Sequence, residues 1–267
     1  MGRRRSKWTW ELIRKRIAQG RGQGEGDSYC PWHLVQDFPS QGRSHRIRGL
    51  TVDRVHHLLS DLEANAFFVF DLPSNNIIDI REQYPLLPVE ETLEIAKKAG
   101  IKHPADPYTR VPTVLTTDFL LTIKRVLVKT YHARTMKYEA DLDDPRVVEK
   151  FEIERRYWEA RHVNWGYVTE KDIPMQVVEN ARFLHPYYFV TDLYPLTQRE
   201  IRRIGFELNG RVRRSDLPLH EIARACDQKL GLRSGRSLAV ARHLLARGVW
   251  RVNLNQPINF YDKLTLL

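Results

Sequence analysis

Residues 114–131 read VLTTDFLLTIKRVLVKTY and contain two runs that are rich in β-branched and aromatic residues. Such runs favour β-strands, so the sequence predicts one strand over 114–123 and a second over 126–131. Lys124 and Arg125 lie between the runs and predict a tight turn. Each strand carries one charge among apolar residues, Asp118 in the first and Lys129 at the end of the second. In a hairpin with this turn, both charges are expected to reach one end of the sheet.

Helical patterns surround this predicted hairpin. Asp144 and Pro145 are a typical N-cap and first-turn residue, and they open a helix with apolar residues at helical spacing. The other predicted elements are, in order, a helix over 8–18, a helix capped by Thr51 or Asp53 that continues towards Phe67, a strand from 77, a helix over 89–99, a strand over 165–169 and a helix over 175–184. This order predicts an α/β (α+β) fold in which helices flank a mixed sheet.

The C-terminal third predicts a second unit. Helical patterns cover 198–206, 219–230 and 237–247, and alternating residues over 249–254 predict a strand. Three short helices followed by a small hairpin are typical of winged-helix DNA-binding domains. We therefore predict a basic helix with a glycine-rich connector over 1–26, an α/β domain over 27–184 and a winged-helix-like domain over 185–267.

The composition indicates a globular protein, with 42% hydrophobic and 28% charged residues. No run of 18 apolar residues predicts a membrane span, and the N-terminus lacks the apolar segment of a secretory signal. The two cysteines, Cys30 and Cys226, do not form a disulfide framework. These features lead us to expect a protein of the reducing cytoplasm.

Positive charge is concentrated at both ends of the chain. The net charge is +10, of which residues 1–21 and residues 200–267 contribute +7 each, while residues 22–199 sum to −4. Basic ends suit contacts with phosphates, and an excess of carboxylates suits a divalent metal. A solvated tail explains the basic N-terminus equally well. The alternating glycines over 20–26 predict a flexible connector, because no Gly-Lys-Ser/Thr motif follows them.

Asp118 and Lys129 suggest chemistry because a buried, unpaired charge is costly. Such residues are expected to face each other or a metal. Hydrolysis of a phosphodiester needs this combination, since carboxylates hold Mg²⁺, the metal lowers the pKa of a bound water, and a lysine stabilises the attacking hydroxide or the phosphate charge. On spacing alone, a structural ion pair at a strand end is at least as good an explanation.

Further motifs share a characteristic order and spacing. They are Gly20-Arg-Gly-Gln-Gly24, Val35-Gln36, Pro39-Ser40, Gly42-Arg-Ser-His-Arg-Ile47, Val55-His-His-Leu-Leu-Ser-Asp-Leu-Glu63, Asp79-Ile-Arg-Glu-Gln83, Pro85-Leu-Leu-Pro88, Gly100-Ile-Lys-His-Pro104 and Glu154-Arg-Arg-Tyr-Trp158. Together they resemble the TnsA family, the endonuclease subunits of heteromeric bacterial transposases. The resemblance is close over residues 18–184 and extends to the C-terminal unit in outline.

This resemblance implies a restriction-endonuclease-like α/β domain, a winged-helix-like C-terminal domain and a bacterial, cytoplasmic protein. The implied activity is cleavage of the 5′ ends of a transposon in cut-and-paste DNA transposition. The implied partners are double-stranded DNA at the transposon ends, a TnsB-like DDE transposase that cuts the 3′ ends, and a TnsC-like AAA+ ATPase. No membrane partner is expected.

The family's catalytic residues fall on Glu63, Asp118 and Lys129. The resemblance makes Glu63 and Asp118 the ligands of Mg²⁺, with Mn²⁺ as an alternative. The family pattern at the lysine reads Gln-Val-Lys, whereas Leu127 stands at the glutamine position here and could offer only its backbone carbonyl. Glu149, on the following helix, is a further candidate as a second-shell or second-metal ligand.

Several basic residues are candidates for DNA contacts. Those expected at the lip of the active site are Arg43, His45 and Arg46, and those expected in the C-terminal unit are Arg233, Arg236 and Arg242. His56 and His57 are neighbours on a predicted helix, so they point about 100° apart and make no common metal-binding face. Two alternative functions remain open at this point: a non-catalytic DNA-binding adapter and a stand-alone restriction enzyme.

Overall fold

The computed structural model describes residues 7–37, 43–73, 75–126 and 128–267. Leu127, the first six residues and motif residues 39–42 lie outside this part of the chain. The chain divides into two units. The first comprises Met1–Asp71 and Asn75–Ile173, and the second comprises Leu72–Ser74 and Pro174–Leu267.

The first unit contains a mixed sheet, as the sequence predicts. Its helices are α1 (Trp10–Ala18), α2 (Asp61–Phe70), α3 (Val89–Lys98) and α4 (Pro145–Glu159). Its strands are β1 (His45–Arg48), β2 (Val55–Leu58), β3 (Ile77–Pro85), β4 (Thr116–Lys124), β5 (Lys129–Met136) and β6 (Asn164–Val168). Strands β1 and β2 form a separate antiparallel hairpin. The main sheet has the order β3-β4-β5-β6, in which only the β5–β6 pair is parallel.

Helix α4 packs its apolar face against this sheet. The Asp144 side chain caps the helix by accepting a hydrogen bond from the Arg146 N–H, and Pro145 occupies the first turn. Tyr157 and Trp158 are buried with Leu86, Leu120 and Ala133 of the strands and the adjoining loop, as expected from their spacing. Burying such large apolar side chains stabilises the fold by about 2 kcal/mol each.

The predicted helix capped by Thr51 or Asp53 is wrong in its first half. Residues Val55–Leu58 form strand β2, and the helix begins only after Ser60, which is its N-cap. The reason is tertiary, because His56 is fully buried and its ring donates a hydrogen bond to Glu82 of the neighbouring strand β3. On a strand, His56 and His57 point to opposite faces, so they still form no shared metal-binding face.

The turn of the central hairpin lies later than the sequence predicts. Arg125 and Val128 exchange backbone hydrogen bonds of 2.9 and 3.3 Å, so these two residues close the turn and strand β5 starts at Lys129. The apolar residues that suggested a strand here are highly exposed, 97% for Val126 and 62% for Val128. Their β-propensity is overridden because no other element of the described chain covers them.

The glycine-rich segment is a packed turn, so the expectation of a flexible connector is wrong. Cys30 forms isolated bridges with Arg21 and Gln23. Gly22 has a positive φ of 76°, and a Cβ atom there would lie 2.2 Å from the Pro85 ring. Only glycine combines this conformation with such a close approach.

The second unit consists of helices around one core. They are α5 (Met175–Leu184), α6 (Gln198–Val212), α7 (Leu219–Leu230) and α8 (Arg236–Ala246). Helix α5 belongs here because Leu184 packs into the same core as Ile204 and Leu208. The predicted boundary at 184/185 therefore moves to 173/174.

The predicted strand over 249–254 is wrong, since the described residues of this unit contain no strand. Trp250 instead packs into the helical core, and the Asn180 amide donates hydrogen bonds to the carbonyls of Leu254 and Gln256. The three-helix outline is present, and the winged-helix assignment stays a prediction. No helix in the described ranges is long and apolar enough to cross a membrane.

Candidate active site

Glu63 is fixed by the start of its own helix. The Ser60 hydroxyl caps α2 by accepting from the Glu63 N–H at 3.1 Å, and it donates to Glu63 Oε1 at 2.9 Å. The Leu59 N–H donates to Glu63 Oε2 at 2.9 Å. These bonds fold the side chain back over the helix N-terminus, where only 6% of the residue is exposed. The positive end of the helix dipole favours a carboxylate at this position.

Asp118 meets Glu63 through a shared neighbour. Its Oδ2 accepts a hydrogen bond of 2.6 Å from the Met136 N–H at the end of β5. The Gln83 amide nitrogen on β3 lies 3.1 Å from Glu63 Oε2 and 3.3 Å from Asp118 Oδ1. The structure thus brings Glu63 and Asp118 together at one end of the sheet, bridged by a glutamine that sequence reasoning did not assign to the site.

Both carboxyl groups bind protons more tightly than usual. Burial, followed by the charge of Asp118, raises the pKa of Glu63 to about 8. Burial raises the pKa of Asp118 to about 6, against the opposing effects of the Met136 N–H, the Gln83 amide and the Lys137 charge. In the described chain, no cationic side chain forms an ion pair with either carboxylate. A buried excess of negative charge is typical of functional sites rather than of structural ion pairs.

Lys129 lies at the other end of the hairpin, so the expectation that it meets Asp118 is wrong. In the β4–β5 register it pairs with Lys124, and both lysines are exposed. The pair Phe119↔Arg134 places Thr135 beside Asp118. The distance from Lys129 to that position is about 20 Å at the usual rise of a strand.

Lys137 is the lysine on the Asp118 side. It follows Met136, the residue whose N–H binds Asp118, and its charge lowers the pKa of Asp118. Its Nζ lies 3.1 Å from Asp141 Oδ2. The length of β4 could have predicted this position of Lys137. A strand of nine residues pairs with a partner of similar length, and β5 therefore extends to Met136.

A third carboxylate lies behind Asp118. Glu154 of α4 is buried and accepts hydrogen bonds from the Thr117 and Thr135 hydroxyls of the two central strands. Burial raises its pKa to about 7, and the charge of Asp118 adds to this shift. Glu149 is different, because it lies on an exposed part of the same helix and pairs with Arg146. Glu154, rather than Glu149, is therefore the α4 carboxylate next to the site.

Two of the expected DNA contacts in the first unit lie beside the first residue of α2. His45 Nε2 is 2.7 Å from Asp61 Oδ1, and Arg43 Nε is 3.8 Å from the same oxygen. Asp61 precedes Glu63 by two residues, so these basic groups lie at the same end of α2 as Glu63. Arg46 is exposed on β1. Their location suits phosphate contacts at the edge of the site.

The arginines of the second unit differ in their exposure. Arg233 is exposed, and Arg236 donates to the Tyr194 carbonyl at 3.1 Å. Arg242 donates to the Tyr187 hydroxyl at 2.9 Å and lies over the rings of Tyr187 and Phe260. The guanidinium of Arg242 is therefore held by aromatic groups of its own unit, and its contact with DNA stays a prediction.

The donor set at the carboxylate pair fits a hard divalent cation. The described residues contain no group of three or more His, Cys, Asp or Glu side chains that could hold a metal. Two carboxylates suffice for Mg²⁺, which proteins commonly bind through one or two carboxylates with water and substrate phosphates as the remaining ligands. The lack of an ion-paired cationic side chain at Glu63 and Asp118, within the described residues, supports the same conclusion.

Comparisons with known proteins cover both units. Residues 74–170 match a family model described as TnsA-like endonuclease N terminal, and residues 172–254 match one described as TnsA endonuclease C terminal. The transposon Tn7 transposition protein TnsA of Escherichia coli is 37% identical over 254 residues, which cover 95% of this chain and 90% of that protein. The chain therefore belongs to the TnsA family of transposition endonucleases.

Proposed function

We propose that this chain is a divalent-cation-dependent DNA endonuclease that cuts the 5′ ends of a transposon during cut-and-paste transposition. The observation that carries the proposal is the buried pair Glu63 and Asp118, which share one neutral amide and have no paired cationic side chain in the described chain. Membership in the TnsA family supports the endonuclease activity.

Each side chain has a distinct role in this proposal. Glu63 and Asp118 offer carboxylate oxygens to Mg²⁺ or Mn²⁺. A cation bound there would lower the pKa of a water and neutralise charge on the scissile phosphate. Lys137, in place of Lys129, offers an ammonium group near Asp118 to stabilise the negative charge that develops during cleavage. Glu154 ties Thr117 to Thr135 and so keeps the ends of β4 and β5 aligned.

The partners follow from the family and from the surface charges. Arg43, His45 and Arg46 would hold phosphates of the transposon-end DNA next to the carboxylates, and Arg233 would contact DNA from the second unit. A TnsB-like DDE transposase would cut the 3′ ends, and a TnsC-like AAA+ ATPase would regulate the assembly. Mg²⁺ dependence and these partners are supported by the resemblance of the motifs.

A strand-resolved cleavage assay tests the proposal. Labelled transposon-end DNA is incubated with Mg²⁺, the cognate transposase and the cognate ATPase, and with the native chain, Asp118→Asn or Asp53→Asn. Asp53 is a matched control because it is an exposed aspartate that pairs with Arg48. We expect 5′ cuts with the native chain and with Asp53→Asn, whereas Asp118→Asn should leave only the 3′ cuts.

Three outcomes would contradict the proposal. If the native chain makes no 5′ cut but binds the DNA with a strong salt dependence, the chain is a DNA-binding adapter. If 5′ cuts persist in Asp118→Asn, the carboxylate pair is not the active site. Cleavage by the purified chain without partners would instead indicate a stand-alone nuclease.

A further inference from the structure

We propose that Gln83 is a positioning residue whose amide holds Glu63 and Asp118 together in the cation-free enzyme, and thereby strengthens the binding of the cation. The inference rests on the proposed function, since it concerns the cation that the two carboxylates would bind. It assigns a role to a residue that contacts both carboxylates and belongs to neither the helix of Glu63 nor the strand of Asp118.

The geometry of the Gln83 amide allows it to contact both carboxylates. Its nitrogen carries two hydrogens, and it lies within hydrogen-bond distance of one oxygen from each carboxylate, at 3.1 and 3.3 Å. Two like charges in a buried site repel each other. Gln83 is only 3% exposed, so bulk water has little access to take the place of its amide. The amide therefore offsets part of the repulsion that would otherwise drive the two side chains apart.

The second argument is the backbone conformation. Glu82 pairs with Phe119 and Tyr84 pairs with Thr117, so Gln83 lies opposite Asp118 in the sheet. Gln83 has a positive φ of 50°, a left-handed conformation in the middle of a strand. For a residue other than glycine this costs about 1–3 kcal/mol, and such strain clusters at functional sites. Glycine would adopt the same backbone without strain, so the side chain accounts for the presence of glutamine.

The third argument is that Gln83 is anchored independently of the carboxylates. Its carbonyl accepts a hydrogen bond of 3.2 Å from the N–H of Trp32, which is fully buried. The preceding residue, Glu82, is held by Arg54 and His56. The amide is thus presented from a fixed support, which is what preorganisation of the two acidic side chains requires.

Calorimetric titration of the full chain with Mn²⁺ tests the inference. Gln83→Gly is the decisive variant, because it keeps the left-handed backbone and removes only the side chain. We expect Mn²⁺ to bind at least about tenfold more weakly to Gln83→Gly, the usual loss when a group that orients metal ligands is removed. Circular dichroism should show the fold unchanged.

Gln83→Glu provides a second measurement that does not depend on activity. This change keeps the shape of the side chain, removes the donor and adds a third negative charge. Without cation, its Tm should fall below that of the native chain, and saturating Mn²⁺ should raise its Tm by more than it raises the native Tm. A purely structural role for Gln83 predicts a loss of Tm that Mn²⁺ does not reverse.

The outcomes separate this inference from the proposed function. Native-like or tighter Mn²⁺ binding by Gln83→Gly would overturn the role of Gln83 while leaving the cation site intact. If Mn²⁺ does not bind the native chain, or binds equally well to Asp118→Asn, both the cation site and the role of Gln83 are overturned. Binding that is lost in Asp118→Asn and weakened in Gln83→Gly supports both.

Discussion

Strand β3 contributes neighbouring residues to two buried polar clusters that differ in their charge balance. Glu82 is fully buried and accepts hydrogen bonds from the Arg54 guanidinium, the His56 ring and the His57 N–H. Burial alone would raise its pKa, but the bonds from Arg54 and His56 outweigh burial and lower the pKa to about 2. Glu82 therefore stays charged and paired.

The cluster around Gln83 is also largely buried, with Asp118 partly exposed, and it lacks an ion-paired cationic partner among the described residues. Glu63 and Asp118 share a neutral amide, and the pKa of each carboxyl is raised. Burial alone therefore does not distinguish a structural carboxylate from a functional one. The presence of a cationic partner decides whether the pKa is lowered or raised. Glu82 ties the β1–β2 hairpin to the sheet, whereas Glu63 and Asp118 are the pair that we propose binds a cation.

The largest expected effect comes from replacing Glu63, a carboxyl group in the cluster around Gln83. Glu63→Gln should lower the rate of 5′ cleavage by about a thousandfold, since a lost metal ligand removes several kcal/mol of transition-state stabilisation. Its free energy of unfolding without cation should stay about equal at neutral pH, where a carboxyl with a pKa of about 8 is mostly protonated, and should rise above pH 8, where a buried, unpaired charge is removed. Single-turnover cleavage and urea unfolding measure the two effects. A large loss of stability would show that Glu63 belongs to a structural network.

The same type of change at Glu82, whose carboxylate is paired with Arg54 and His56, should lower stability instead of activity. Glu82→Gln leaves Arg54 buried beside a neutral amide, which should cost about 3 kcal/mol of unfolding free energy. Urea unfolding of Glu82→Gln and Glu63→Gln under the same conditions compares the unfolding free energies of two substitutions of the same chemical type. Equal effects of the two variants on stability would break the comparison between the clusters.

The third prediction concerns Lys137, which we propose stabilises negative charge near Asp118. Lys137→Ala should slow 5′ cleavage about a hundredfold, because one group that stabilises developing charge is lost. Lys129→Ala is the matched control on the same strand and should stay within about twofold of the native rate, since it lies at the exposed turn. Single-turnover rates with saturating DNA test both variants. The reverse pattern would return the catalytic role to Lys129.

The smallest expected effect is the dependence of stability on pH without cation. The pKa of Glu63 is raised in the folded state, from 4.5 to about 8. Its contribution to stability is therefore fully present below pH 4.5 and is lost as the pH rises through 8. Relative to Glu63→Gln, the native chain in EDTA should lose at least about 1 kcal/mol across this range. For Glu82 the sign is opposite, because its stabilisation is lost as the pH falls through 2. A flat difference between native and Glu63→Gln would contradict the raised pKa.

Local features of the sequence determined much of the fold. The Asp144 cap, the first-turn Pro145 and the helical spacing after them predicted α4, and the bounds predicted for α5 and α7 agree with the structure. The mixed sheet with flanking helices is confirmed. An aspartate in an apolar strand was visible as a candidate, because hydrophobic periodicity is encoded within a few neighbouring residues, whereas Glu63 became a candidate through the family resemblance.

The tertiary structure alone decided which of these residues meet. Strand β5 contains polar residues such as His132 and Arg134, so its hydrophobic pattern did not predict its full length. The β-branched residues Val126 and Val128 predicted a strand ahead of it, although both are exposed. Because of this shift, Lys137 and not Lys129 lies on the Asp118 side of the hairpin. The strand β2, the place of α5 in the second unit and the left-handed Gln83 likewise depend on partners distant in sequence. The physical reason is that register and side-chain contacts across a sheet are set by pairing between strands, on which the local pattern of one strand carries little information.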